Sequence, residues 1–125
     1  MFKVNNDLSI YVTRGDMGAF DLAVDAGGNA YTFKPGCVVR IKVFEKKGCD
    51  CVVLQKDFVV TETADSVELS LTSKDTKIGG VIHKPKDYWY EIELNPLSAP
   101  QTVVGYDEDG PKLFRLFPEG KDVVE

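Results

Sequence analysis

The chain has 125 residues, 43% hydrophobic and 28% charged, with a formal net charge of −5. That length supplies one domain with an ordinary core, burying roughly two-thirds of the unfolded surface, and leaves no room for a second. Fifteen basic residues scattered among twenty acidic ones lack the clustered positive charge that nucleic acid or an anionic membrane requires, so neither is expected as a partner.

From the N-terminus, Leu8 to Thr13 alternates Leu8, Ile10 and Val12 against Ser9, Tyr11 and Thr13, and Arg14-Gly15-Asp16 breaks the pattern. Ala19 to Asp25 resumes it with Phe20, Leu22 and Val24 on one side, which is the half-buried strand signature. Ala26-Gly27-Gly28-Asn29 predicts a hairpin-like turn, and Lys34-Pro35-Gly36 a second turn after the short Tyr31-Thr32-Phe33 piece. Cys37 to Lys46 is a strand with Val39, Ile41 and Val43 facing one way and Val38, Arg40, Lys42 and Phe44 the other. Cys51 to Val60 alternates again, but Lys56 interrupts the apolar set of Val52, Leu54, Phe58 and Val60, which predicts a bulge or an edge position.

Val67, Leu69 and Leu71 mark the next strand, and Thr72 is placed to cap a short helical turn over Ser73-Lys74-Asp75-Thr76. Lys86 to Asn95 sets Tyr88, Tyr90, Ile92 and Leu94 against Asp87, Trp89, Glu91 and Glu93. Gln101 to Tyr106 and Lys112 to Phe117 are expected to pair across the acidic turn Asp107-Glu108-Asp109-Gly110-Pro111, and a polar tail follows Glu119. Seven to eight short strands separated by Gly, Pro and Asn turns, with a core over about 8–117, predict a single all-β domain over 1–125, an antiparallel sandwich in preference to a partly open barrel.

The three cysteines, Cys37, Cys49 and Cys51, are odd in number, and Cys49 and Cys51 stand too close for an unstrained disulfide, so reduced thiols are expected. As metal ligands the three make a weak set, and packing as small hydrophobes explains them more simply. The N-terminus lacks the apolar stretch of a signal peptide, and no run reaches the ~20 apolar residues of a membrane span, so synthesis in the cytoplasm is expected.

No catalytic constellation emerges. The single histidine, His83, falls in a loop-like stretch without a nucleophile elbow, so no enzymatic activity and no cofactor are expected. Glu91 and Glu93 lie about 7 Å apart on one strand face, a solvated pair rather than a glycosidase pair. The Asp107-Glu108-Asp109-Gly110 stretch has only part of a calcium loop, and Arg14-Gly15-Asp16 is better read as a turn than as an adhesion tripeptide. Trp89, Tyr11 and Phe44 fall on the minority faces of their strands, and with Glu91 and Glu93 beside them form a candidate protein interface. They would belong to a second core layer if one register were misread.

Three pieces in this order carry a resemblance. They are Tyr11-Val12-Thr13-Arg14-Gly15-Asp16-Met17-Gly18-Ala19-Phe20, then Tyr31 to Val43, then Leu69 to Thr76 with Tyr88-Trp89-Tyr90-Glu91-Ile92-Glu93-Leu94. Together they resemble the N-terminal domain of phage baseplate upper proteins and related small prophage structural proteins, over about Leu8 to Phe117. Glu91 stands where the pattern has aspartate, Lys84-Pro85-Lys86 replaces the usual glycine, and the loop from Lys77 to Asp87 is longer than the pattern. The resemblance implies an immunoglobulin-like sandwich that assembles with itself or with neighbouring tail proteins in a virion or virion-like particle, after synthesis in a bacterial cytoplasm, without enzymatic activity. It also implies that Arg14, Gly15, Asp16, Asp75 and Thr76 are turn and cap residues. The competing expectation is a carbohydrate-binding sandwich module in which exposed Trp89 and Tyr11 stack on sugar rings.

Overall fold

A computed structural model of the chain describes residues 1–26, 28–47, 51–105 and 111–123. In chain order the strands are β1 (Phe2–Val4), β2 (Ile10–Thr13), β3 (Gly18–Leu22), β4 (Asp25–Ala26), β5 (Asn29–Ala30), β6 (Val38–Phe44), β7 (Val52–Val59) and β8 (Val67–Leu71). The one-turn helix α1 (Ser73–Thr76) follows, then β9 (Lys86–Leu94), β10 (Gln101–Val104) and β11 (Lys112–Phe117), with a 3-10 turn at Gly120–Asp122. The protein is an all-β sandwich. One layer is a seven-stranded sheet in the order β1-β2-β11-β9-β6-β7, with β10 added to β9; the other is the β3–β8 pair, and β4–β5 is a small separate hairpin.

Alternation builds the core. Ile10 and Val12, Val39, Ile41 and Val43, Tyr88, Tyr90, Ile92 and Leu94, and Phe114 and Leu116 project from the large sheet into one cluster with Leu22, Leu69 and Leu71 of the small one. The predicted inward sets of β6 and β9 are buried, as are Leu69 and Leu71 of β8, while Val67 is half-buried. At the start of β2 the alternation slips. Ser9 is buried and Leu8 exposed, because Leu8 takes a positive φ of 70° that reverses its side chain. Its carbonyl accepts the Tyr90 hydroxyl, and the Asn5 backbone amide bonds the Ser9 carbonyl at 2.8 Å, which holds the turn.

Two turns follow directly from sequence. Cys37 N donates to Lys34 O at 3.1 Å across Pro35 and Gly36, and Gly36 has φ +91°, as a type II turn demands. Ala26 pairs with Asn29, and Gly28 before it takes φ +86°, the conformation the predicted glycine turn calls for. Strand β1 is an addition that alternation did not reveal. It is three residues long, and the Phe2 ring lies where a side chain on Gly18 would be, with the Phe20 ring centroid 6.3 Å away.

Three expectations are corrected. The sheet is mixed, not wholly antiparallel: β2 and β11 run parallel, with Tyr11 opposite Arg115. Nearly the whole chain connects them, so no tight hairpin dictates their direction. Second, β10 and β11 both pair with β9, β10 along its C-terminal half and β11 along its N-terminal half. The nine-residue β9 is long enough to take both on one edge while β6 occupies the other. The acidic turn between them lies outside the described residues. Third, Cys51 is disulfide-bonded, where reduced thiols were expected. Cys37 is a free thiol, buried in the core.

Lys56 resolves as an edge position. Among the described residues strand β7 pairs only with β6, and Lys56 stands opposite Ile41 on the inner side. Its ammonium crosses to the other layer, donating to Ser70 O and Asp75 Oδ2, both at 2.8 Å. The bulge lies elsewhere, at Val53, between the Val43–Leu54 and Phe44–Val52 pairs.

Candidate functional site

Strand register gathers the five candidate interface residues on one surface. Trp89 is directly opposite Phe44 on one side and Leu113 on the other, and Phe44 is opposite Val52. Directly paired residues share a face, so Leu113, Trp89, Phe44 and Val52 form an apolar band across four strands of the outer face, roughly 14 Å long at the usual strand spacing. Trp89, Phe44 and Leu113 are half-buried although, among the described residues, no second layer covers them. The Lys47 ammonium lies 4.3 Å from the Trp89 ring centroid and accounts for part of that cover.

Charged rows flank the band. On one side Glu91 pairs with Lys42, and Glu93 with Arg40, which in turn faces Asp57. Arg40 grips Asp57 with two bonds, Nε to Oδ1 at 2.7 Å and Nη2 to Oδ2 at 3.0 Å. The guanidinium holds the Asp57 carboxyl below its ordinary range. Lys42 Nζ sits 2.6 Å from Glu93 Oε1 and 3.7 Å from Glu91 Oε1. The Lys42 hydrogen bond lowers Glu93, while partial burial and then the neighbouring Glu93 raise Glu91.

On the other side of the band, Arg115 bonds Asp87 at 2.7 Å and lies 5.4 Å over the Tyr11 ring, which meets Phe117 at 5.5 Å. Tyr11 therefore belongs to the same face, separated from Trp89 by the Arg115–Asp87 row. An apolar centre with paired charges at its margins is the anatomy of a protein contact surface. Charges already paired within the chain are cheaper to desolvate than lone ones, because each keeps its partner.

The turn and cap residues form a separate cluster at one end of the sandwich. Gly15, at φ +89°, donates its amide to Thr76 Oγ1 at 3.0 Å, and the same hydroxyl donates to Asp16 O at 2.8 Å. Arg14 Nη2 reaches Gly79 O at 3.1 Å, and the Asp16 carboxylate meets the N-terminal ammonium. Thr72 is the N-cap of α1 in a reciprocal capping box with Asp75. Burial raises the Asp75 carboxyl, but bonds from Lys56 and Thr72 outweigh it, and the net shift is downward. Arg14-Gly15-Asp16 is thus hydrogen-bonded to α1 and its following loop.

Other chemistry-bearing groups do not converge. His83 Nδ1 contacts Asp122 O at 2.7 Å, and the cleft beside it is lined by Ile82, Lys84, Pro85 and Lys86, with no thiol or carboxylate among them. A cleft of about 410 Å³ between β3 and the β9–β10 pair is mainly apolar, with Asp21 and Asp25 in its lining. Among the described residues no three metal-ligating side chains gather, and no helix is long and apolar enough to cross a membrane. The Asp107–Gly110 stretch and Cys49 lie outside the described residues.

Leu113, Val52 and the cations Arg40 and Lys42 complete the face but were not singled out from sequence. Arg40 and Lys42 were visible as outward positions of β6. Leu113 was not, because β11 is apolar on both faces and offers no contrast. No family model matches the chain, and neither curated proteins nor solved structures give a match.

Proposed function

We propose that the chain is a non-enzymatic structural protein of a phage or prophage particle, a baseplate or tail component that works through protein–protein assembly. The observation that carries the assembly part is the Leu113–Trp89–Phe44–Val52 band on a sheet face with no second layer over it among the described residues, bordered by internally paired charges. Half-buried aromatics at the centre and arginines at the margin are the residues that dominate binding energy at such surfaces. The particle assignment rests on the resemblance of the ordered segments from Tyr11 to Leu94. In this reading the partners are copies of the chain or neighbouring tail proteins, and the product of folding is a surface and not a reaction centre.

The sugar-binding alternative has less in its favour. A stacking platform needs an open ring face, whereas Lys47 lies over Trp89 and Arg115 over Tyr11.

The test is biochemical fractionation. Particles pelleted from an induced culture of the bacterium that carries the gene are probed with antibody to this chain. Co-sedimentation that survives a density gradient is the expected result. A chain that stays wholly in the supernatant while particles form would overturn the assignment.

A further inference from the structure

Among the described residues strand β7 is an open edge of the seven-stranded sheet, eight residues long, and its defences against pairing with another chain are weak. Open edges are normally blunted by charged side chains, inward-pointing ones included, by prolines or by bulges. The only two charges on this strand are already bound within the chain, Lys56 to Asp75 at 2.8 Å and Asp57 to Arg40 at 2.7 Å. There is no proline, and the single bulge, at Val53, is confined to the strand's beginning. What the edge leaves in water is partly apolar, Val59 at 62% exposed and Val53 at 37%, beside exposed Gln55 and Asp57.

The order of residues says what would cover it. Read outward from Lys56, the strand is a palindrome of residue classes: Gln55 and Asp57, then Leu54 and Phe58, then Val53 and Val59. We infer that β7 pairs antiparallel with β7 of a second copy about a two-fold axis at Lys56, joining the two large sheets into one. In that register Val53 opposes the partner's Val59 and Gln55 opposes the partner's Asp57 on the outer face. Leu54 opposes the partner's Phe58 on the inner face. Each direct pair is the kind of cross-strand contact that stabilises a sheet. The interface is isologous and closes at two copies.

Neighbouring registers are worse. A shift of two positions one way sets Val53 against the partner's Asp57, and the other way sets the two Asp57 carboxylates against each other. The like charges at the axis, the two Lys56 ammoniums, are drawn off it, because each is anchored across the sandwich on Ser70 O and Asp75. This edge is distinct from the Trp89 band, and the inference does not depend on the particle assignment.

The test is light scattering over a dilution series. The wild-type chain is expected at twice 13.8 kDa at the concentrated end. V53K/V59K places lysines opposite each other at both ends of the register and is expected to halve the mass with an unchanged circular dichroism spectrum. V53E/V59K opposes unlike charges and is expected to regain the dimer, whereas W89S is expected to keep it. A wild-type monomer at every concentration would overturn the pairing, as would a dimer that survives V53K/V59K. Failure of V53E/V59K to recover would refute the register, and a dimer lost in W89S but kept in V53K/V59K would move the contact to the outer face.

Discussion

Along β9, Tyr88, Tyr90, Ile92 and Leu94 are almost wholly buried against the β3–β8 layer, whereas Trp89, Glu91 and Glu93 lie half-buried on the outer face and Asp87 is exposed there. The inner face is uniformly apolar and holds by close packing, so every methylene counts toward stability. The outer face is composite, an aromatic band between rows of ion pairs, and such surface pairs are worth at most about 1 kcal/mol each. The difference separates two jobs on one strand. The inner side holds the fold, and the outer side keeps costly apolar area in water, which the fold does not need and a contact surface does.

Substitutions should divide along the same line, and the largest effect belongs to the core. Phe114→Ala, at a fully buried position, should cost about 3–5 kcal/mol in chemical denaturation. A loss below about 1 kcal/mol would contradict the tight inner face. Tyr90→Phe deprives the Leu8 carbonyl of its donor beside a positive-φ turn, and should cost about 1–3 kcal/mol.

Acid should act next, through the paired carboxylates. Asp57, Asp75 and Glu93 are held below their ordinary values, so their contribution is complete above the unfolded range, about pH 4. It is lost as pH falls through their folded values. Glu91, raised, has the opposite sign: its ionisation weakens the fold as pH rises through the same range, so acid relieves that one cost. The denaturation midpoint should hold from pH 7 to about 5 and drop below about 4. Asp75→Asn should flatten part of that drop, and a profile unchanged in slope would remove the Lys56–Asp75 bridge from the account.

The smallest stability effects are expected where the functional effect is greatest. Trp89→Ser and Phe44→Ser should cost about 1 kcal/mol or less while removing the chain from sedimenting particles. Glu91→Gln should change stability by no more than about 0.5 kcal/mol near neutral pH.

Sequence made the interior legible because alternation has a period of two and the apolar sets of β6, β8 and β9 contrast sharply with their polar neighbours. The same contrast sets Trp89, Phe44 and Tyr11 on the outer face. It failed where one face did not differ from the other, as at Leu113 in β11, and where a backbone angle reversed a side chain, as at Leu8. It could not reveal which strands pair over long range, so the parallel β2–β11 contact and the sharing of one β9 edge by β10 and β11 came only from the structure. Lys56 stands out in the alternation of β7, and its explanation lies in Asp75, nineteen residues away.

The central claim, that the outer face of the large sheet is where the protein makes its contacts, is tested most directly by hydroxyl-radical footprinting with mass spectrometry on the free chain and on purified particles that contain it. Trp89, Phe44 and Leu113 should be oxidised in the free chain and strongly protected in the particle, with exposed Met17, at the turn end, labelled in both. Equal labelling of the Trp89 band in the two states would contradict the claim.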